Sequence, residues 1–198
     1  MSIFGAILAN PRLYNAVQVL FGLAYTQQRL APHLAAADGQ TVLDVGAGTS
    51  LVAPLLPAST RYIWLDNDPR KLALAVRCRQ PAAAVIADAA RLPLRPASVD
   101  VGICLAVSHH LTDAELDAMV AGLARVVRNR LIFLDALACP ESLRSRLLWR
   151  LDRGSHPRSG EALQAILGRA FVLEHVEHYT VYHRYMLCVA APQPIRNS

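Results

Sequence analysis

"VLDVGAGTS", residues 42–50, reads as apolar strand running into a turn with two glycines, with the carboxylate of Asp44 just before them. Gly46 and Gly48 can take positive φ and place no Cβ between the backbone and a ligand. The turn is therefore expected to lie against something with polar atoms and a bulky body.

Working outward, strand and helix patterns alternate. Before the turn, residues 11–36 carry apolar groups at helical spacing (Leu13, Val17, Leu20, Leu23, Ala24, Leu30, Leu34), with a break expected near Gly22. After it comes a short helical piece, "LVAPLL", stopped by Pro57, and a second strand, "RYIWLD". Asp68 and Pro69 then open a helix as N-cap and first residue. "AAVIAD" and "SVDVGICLAV" are the third and fourth strands. Thr112 and Glu115 form a capping box for a helix whose Leu116, Met119, Val120, Leu123 and Val127 share one face. "RLIFLDAL" is the fifth strand, followed by helices over about 141–151 and 161–168, and by two β-rich runs, "FVLEHVEHYTV" and "HRYMLCVAA". The alternation predicts an α/β protein with a parallel sheet, helices on both faces, and an antiparallel hairpin at the C-terminal end.

The 198 residues are expected to form a single domain over 1–198, long enough to bury roughly 70% of the unfolded surface without staple or metal. Charges and prolines interrupt every apolar run before the ~20 residues of a membrane span, so no stable membrane insertion is expected. The start, "MSIFGAILANPR", lacks a basic n-region and reads as mature sequence. Cys78, Cys104, Cys139 and Cys188 form no C-x-x-C pair, which argues against zinc and against a disulfide framework and points to a cytoplasmic protein. The net charge of +5 is carried by arginine, Lys71 being the sole lysine. Arg144, Arg146, Arg150, Arg153 and Arg158 gather as either a solvated helix face or an anion footprint. With no aromatic-basic stripe, nucleic acid is not an expected partner.

In a sheet of this kind ligands bind beyond the carboxyl ends of the strands, where the strand order reverses. Asp44, Asp66 and Asp88 end the first three strands, and His109 and His110 follow the fourth. Asp66 lies 22 residues past Asp44, the separation at which a carboxylate grips a ribose through its hydroxyls while repelling a 2′-phosphate. Asp88, before Ala89, is placed to accept from an exocyclic amine such as that of adenine. Leu51 occupies the third position of a G-x-G-x-x-G, which disfavours a dinucleotide.

Over about residues 40–190 the chain resembles the class I S-adenosylmethionine-dependent methyltransferases. "VLDVGAGTS", "WLDNDP", "IADAARLPLRPASVDVGICLAVSHHL" and "LIFLDAL" carry the resemblance, and the last 30 residues are similar to the family's closing hairpin. It implies a Rossmann-like seven-stranded sheet and S-adenosylmethionine as cofactor. By position it places Asp44, Gly46, Ala47 and Gly48 near the methionine part, Asp66 with Asn67 at the ribose, Asp88 and Ala89 at the adenine, and Leu105 beside the sulfonium. Ser50 replaces a glycine that often ends the turn, and is expected to donate to the methionine carboxylate.

The same resemblance points His109 and His110 toward the transferable methyl, as candidate general bases for a hydroxyl acceptor. His156 and Arg158 are candidate acceptor-binding groups in a loop over the pocket. His175, His178 and His183 match no zinc spacing and are expected on a solvated sheet face; no metal site is expected. Residues 1–37 are read as a helical lid over a core of residues 40–190, with Tyr14, Phe21 and Tyr25 covering an apolar or aromatic acceptor; the expected partner is a small-molecule acceptor, apolar or anionic. The expected function is methyl transfer to a small molecule, oxygen slightly favoured. The alternatives are a cofactor-binding fold turned to cyclisation or isomerisation, and a non-catalytic partner protein. Oligomeric state is not legible.

Overall fold

The computed structural model describes residues 11–50, 52–143, 145–146, 149, 156–181 and 183–194, with the side chains of the first helix described from residue 22 onward. Helix α1 (Pro11–Ala35) is followed by strands β1 (Thr41–Val45) and β2 (Arg61–Asp66), helix α2 (Leu72–Cys78), and strands β3 (Ala83–Ile86) and β4 (Val99–Leu105). Then come α3 (Asp113–Val126), β5 (Val127–Leu137), α4 (Gly160–Leu167), β6 (Phe171–Thr180) and β7 (Arg184–Pro192).

The strands form one seven-stranded sheet in the order β3-β2-β1-β4-β5-β7-β6. The first five are parallel, and β7 inserts antiparallel between β5 and β6. Strand order reverses between β1 and β4, which opens the crevice beside the glycine turn. This is the Rossmann-like seven-stranded sheet expected from the sequence, with its antiparallel strands at the C-terminal end.

Both faces are covered. On one, Leu43, Val45 and Phe133 pack against Leu116, Met119 and Leu123 of α3 and Leu163 of α4. On the other, Val42, Trp64, Ile103 and Leu187 pack beneath Leu30 and Leu34 of α1. Alternation along β1 thus sends Leu43 and Val45 to the α3 face and turns Asp44 toward the α1 face.

Local expectations hold at α3, where Thr112 Oγ1 accepts from Glu115 N at 3.3 Å and Glu115 Oε2 accepts from Thr112 N at 2.8 Å. Two do not. Helix α1 runs through Gly22 without a break, and Gly22 is buried beside a cavity; a glycine costs a helix interior only about 1 kcal/mol, which packing readily offsets. Asp68 accepts from Arg70 N at 3.1 Å, but caps a 3₁₀ turn over Pro69–Lys71 that precedes α2.

Candidate active site

The turn after β1 has the conformation its glycines predict. Gly46 has φ +66° and Gly48 φ +53°. A Cβ on Gly46 would stand 2.4 Å from Val107 Cγ2, so the turn after β4 packs directly on the turn after β1. Between them Ala106 is held at φ +56°, a left-handed conformation costly for alanine and characteristic of functional turns.

Two cavities meet at this junction and share Gly46 and Ala106 as walls. The first, about 380 Å³, is bordered by Asp66, Asn67, Asp88, Ala89, His110 and Lys71. The second, about 460 Å³, is bordered by Asp44, Ala47, Gly48, Leu105, Leu134 and Tyr185, and by Leu23, Thr26, Gln27 and Leu30 of α1. Carboxylates thus line both chambers, at the ends of three neighbouring strands.

Asp44 is 3% exposed and accepts from Tyr62 Oη at 2.8 Å. Burial pushes its carboxyl up to about 7; the Tyr62 hydroxyl opposes that rise, and the nearby Asp66 carboxylate adds to it. Ser50 is fully buried with φ +61°, and its hydroxyl lies 2.8 Å from Tyr62 Oη. It therefore supports Asp44 from beneath the turn through Tyr62, in place of the expected donation to a ligand.

Asp66 is the hub of the other chamber. Its carboxylate accepts from Gly48 N and Asp68 N, each at 2.9 Å, and from Lys71 Nζ at 3.1 Å. The lysine was not singled out from the sequence; its position five residues after a strand-end carboxylate was the available signal. Asp88 is exposed at the rim and accepts from Ala90 N at 2.9 Å.

The histidines part company. His110 borders the smaller chamber. His109 borders neither: it is 6% exposed, with Nδ1 2.5 Å from Asp135 Oδ1. Asp135, wholly buried in β5, also accepts from Ser108 N at 2.7 Å, Ser108 Oγ at 2.5 Å and Ala136 N at 2.7 Å. The turn carrying both histidines is thereby fastened to β5. Trp149 meets the His109 ring edge-on at 5.5 Å, and His183, expected on a solvated face, is buried against Trp149 at 4.7 Å.

The remaining candidates lie elsewhere. Arg158 donates to Asp113 Oδ1 and to the carbonyls of Ser108 and Leu111, each at 2.7 Å, so it clamps the same turn. His156 is exposed and its N–H donates to the His109 carbonyl at 3.0 Å. Tyr25 packs on Tyr179, 5.7 Å between centroids, outside the cavity wall. The side chains of Tyr14 and Phe21 lie outside the described residues, as do Arg144, Arg150 and Arg153. Among the described residues no cluster of three metal-ligating side chains occurs and no helix is long and apolar enough to cross a membrane.

A family model described as a methyltransferase domain matches residues 43–134, the stretch from β1 through most of β5. Over those residues the chain carries a methyltransferase domain. Its sheet superposes on solved members of this methyltransferase fold. The magnesium protoporphyrin IX methyltransferase of Synechocystis PCC 6803, solved with bound S-adenosylmethionine, matches with a TM-score of 0.70 at 21% identity, over 89% of this chain and 82% of that one. A putative methyltransferase of Haloferax volcanii, in complex with the Trm112 activator, gives 0.73 at 14% identity over 93% and 98%. A putative methyltransferase of Bacillus halodurans gives 0.67 at 17% over 86% and 99%. No curated protein matches in sequence.

S-adenosylmethionine is the cofactor of this methyltransferase family, and the chain's own residues fit it. The fit rests on a backbone turn with no room for a side chain at Gly46, on the Asp66 carboxylate at the wall of the smaller cavity, and on a buried carboxylate at Asp44 whose ionisation an ammonium would favour.

Proposed function

We propose that the chain transfers the methyl group of S-adenosylmethionine to a small-molecule acceptor, oxygen being favoured over nitrogen or carbon. The observation carrying this is the joined pair of cavities, the larger of which extends past the cofactor residues into an apolar space under α1. In the smaller chamber Asp66 and Asn67 hold the ribose, while Asp88 and Ala89 face the adenine. In the larger, Asp44, Gly46, Ala47 and Gly48 hold the methionine end, with Leu105 beside the sulfonium.

When bound, the cofactor supplies an electrophilic methyl on sulfur. The chain's part is to align the acceptor with it and to exclude water. Leu23, Leu30, Val52 and Leu134 exclude water, and Thr26, Gln27 and Tyr185 are uncharged polar side chains on the same wall. His109 and His110 border no part of the acceptor side, so we assign His109 to holding the turn after β4 and His110 to the adenosine chamber. Helix α1 is the wall over the acceptor.

Calorimetric titration with S-adenosylmethionine and S-adenosylhomocysteine tests the pocket, and transfer of a labelled methyl to hydroxylated compounds tests the reaction. Binding of both with transfer supports the reading. Binding without transfer to any acceptor favours cyclisation or isomerisation, and no binding of either favours a non-catalytic partner.

A further inference from the structure

We propose that the acceptor site selects an uncharged molecule with an apolar body, and that Tyr185 is its specificity-determining residue. The proposal rests on the methyl-transfer reading above and narrows its substrate class.

The order of strands lays the site out as a line. Asp88 follows β3, Asp66 ends β2, Asp44 lies in β1 and Leu105 ends β4; the larger cavity continues to Leu134 on β5 and Tyr185 on β7. From β1 to β7 it crosses three strand spacings, roughly 14 Å at ~4.8 Å each. That is longer than the methionyl chain of the cofactor, so the β5–β7 end is left to the acceptor.

Charge decides what fits there. Among the described residues bordering this cavity, Asp44 is the one charged side chain, and no Lys, Arg or His is present. Three cations among the described residues are engaged elsewhere. Arg29 pairs with Glu177 and lies over the rings of Tyr25 and Tyr179, at 4.5 and 4.9 Å. Arg158 is spent on Asp113 and on two carbonyls, and Lys71 faces Asp66 in the other chamber. With S-adenosylhomocysteine bound, whose sulfur is neutral, a carboxylate or phosphate in the apolar end would lose its hydration without gaining a counter-charge from any described side chain on that wall. A cationic acceptor would compete with the cofactor's ammonium for that same carboxylate. An uncharged acceptor meets neither obstacle.

Tyr185 is built to be rigid. It pairs in register with Ala136 of β5, stacks on Tyr179 at 5.3 Å and 19°, and meets His183 edge-on at 6.2 Å and 86°. A ring fixed on two sides is a platform of fixed position, and its phenol sits on the acceptor side of Leu105 in the strand order.

Three naphthalenes of matched size test this on the whole chain saturated with S-adenosylhomocysteine: 2-naphthol, 2-naphthoate and the 2-naphthylmethylammonium ion, each titrated calorimetrically. Naphthol is expected to bind at least about tenfold more tightly than either ion. Tyr185→Leu should weaken naphthol binding by about tenfold, while S-adenosylhomocysteine affinity, read separately, stays within about threefold. Gln27→Arg, which places a cation on the same wall, should strengthen naphthoate binding by about fivefold or more. Equal or tighter binding of either ion, no binding of naphthol, or a Tyr185→Leu variant that binds naphthol normally would each overturn the proposal. So would unchanged naphthoate binding in Gln27→Arg. If S-adenosylhomocysteine itself fails to bind, the methyl-transfer reading falls and this one with it; if it binds and naphthol does not, this one falls alone.

Discussion

Asp44 is held out of the ordinary carboxylate range by its burial. Burial keeps it protonated up to about 7 in the folded chain, against 3.8 as its ordinary value. Between those limits the folded state holds the extra proton, so this group's contribution to stability falls as pH rises through the window. A bound ammonium favours the ionised form. Cofactor affinity should therefore drop by about tenfold per pH unit below 7 and level off above it, with protons released on binding at pH 6. Calorimetry in buffers of different ionisation enthalpy reads this directly, and a flat profile would place the ammonium away from Asp44. For Asp66 the expectation is simpler. Asp66→Ala removes the proposed ribose acceptor and the partner of Gly48 N and Lys71, and should weaken S-adenosylhomocysteine binding by about 10- to 100-fold, since hydrogen bonds to a charged group contribute about 1.5–3 kcal/mol. Unchanged affinity would move the ribose elsewhere. These carboxylates were legible in the sequence because each ends an apolar run. Asp135 also sits in such a run, but its work depends on meeting Ser108 and His109, more than two dozen residues away, and no local pattern records that. Tyr62 was hidden likewise: it reads as a strand residue, and only the pairing of β1 with β2 puts its hydroxyl beside Asp44.

Among the elements, the turn after β4 is held most firmly. Asp135 from β5 and Arg158 from the segment before α4 grip it from two sides. Asp135→Ala would leave Ser108 N, Ala136 N and His109 without their buried acceptor and is expected to cost about 2–5 kcal/mol, measured by urea unfolding. A loss within experimental error would show that the turn finds other partners. Helix α1 is held differently, through Tyr25 and Arg29 on Tyr179, through Thr26 Oγ1, which lies 3.1 Å from Tyr179 Oη, and through Leu30 and Leu34 in the core. Apolar spacing made this helix legible. Which of its faces borders the cavity was not, because Tyr25 and Leu23 are both plausible wall residues until the position of β6 decides between them.

For the whole molecule, alternation of strand and helix patterns was enough to predict the parallel sheet and its closing hairpin. The insertion of β7 between β5 and β6 was not legible, since two consecutive strands can pair in either order at a sheet edge. Because both chambers are built from the ends of strands across the sheet, occupying them should stabilise the entire fold. At a ligand concentration one hundred times Kd, S-adenosylhomocysteine is expected to add about 2.7 kcal/mol and raise Tm by about 5–10 °C in a chain of this size. Scanning fluorimetry with and without it makes the comparison, and the Asp66→Ala variant should lose most of the shift at the same concentration.

The backbone at Ala106, wedged in its left-handed conformation between the two chambers, is a party wall. On one side everything comes from the middle of the chain; on the other, much of the lining comes from its two extremities, α1 and β7. On the methyl-transfer reading proposed above, a new acceptor would be reached by rewriting α1 and β7, with the cofactor cradle between them left as it is.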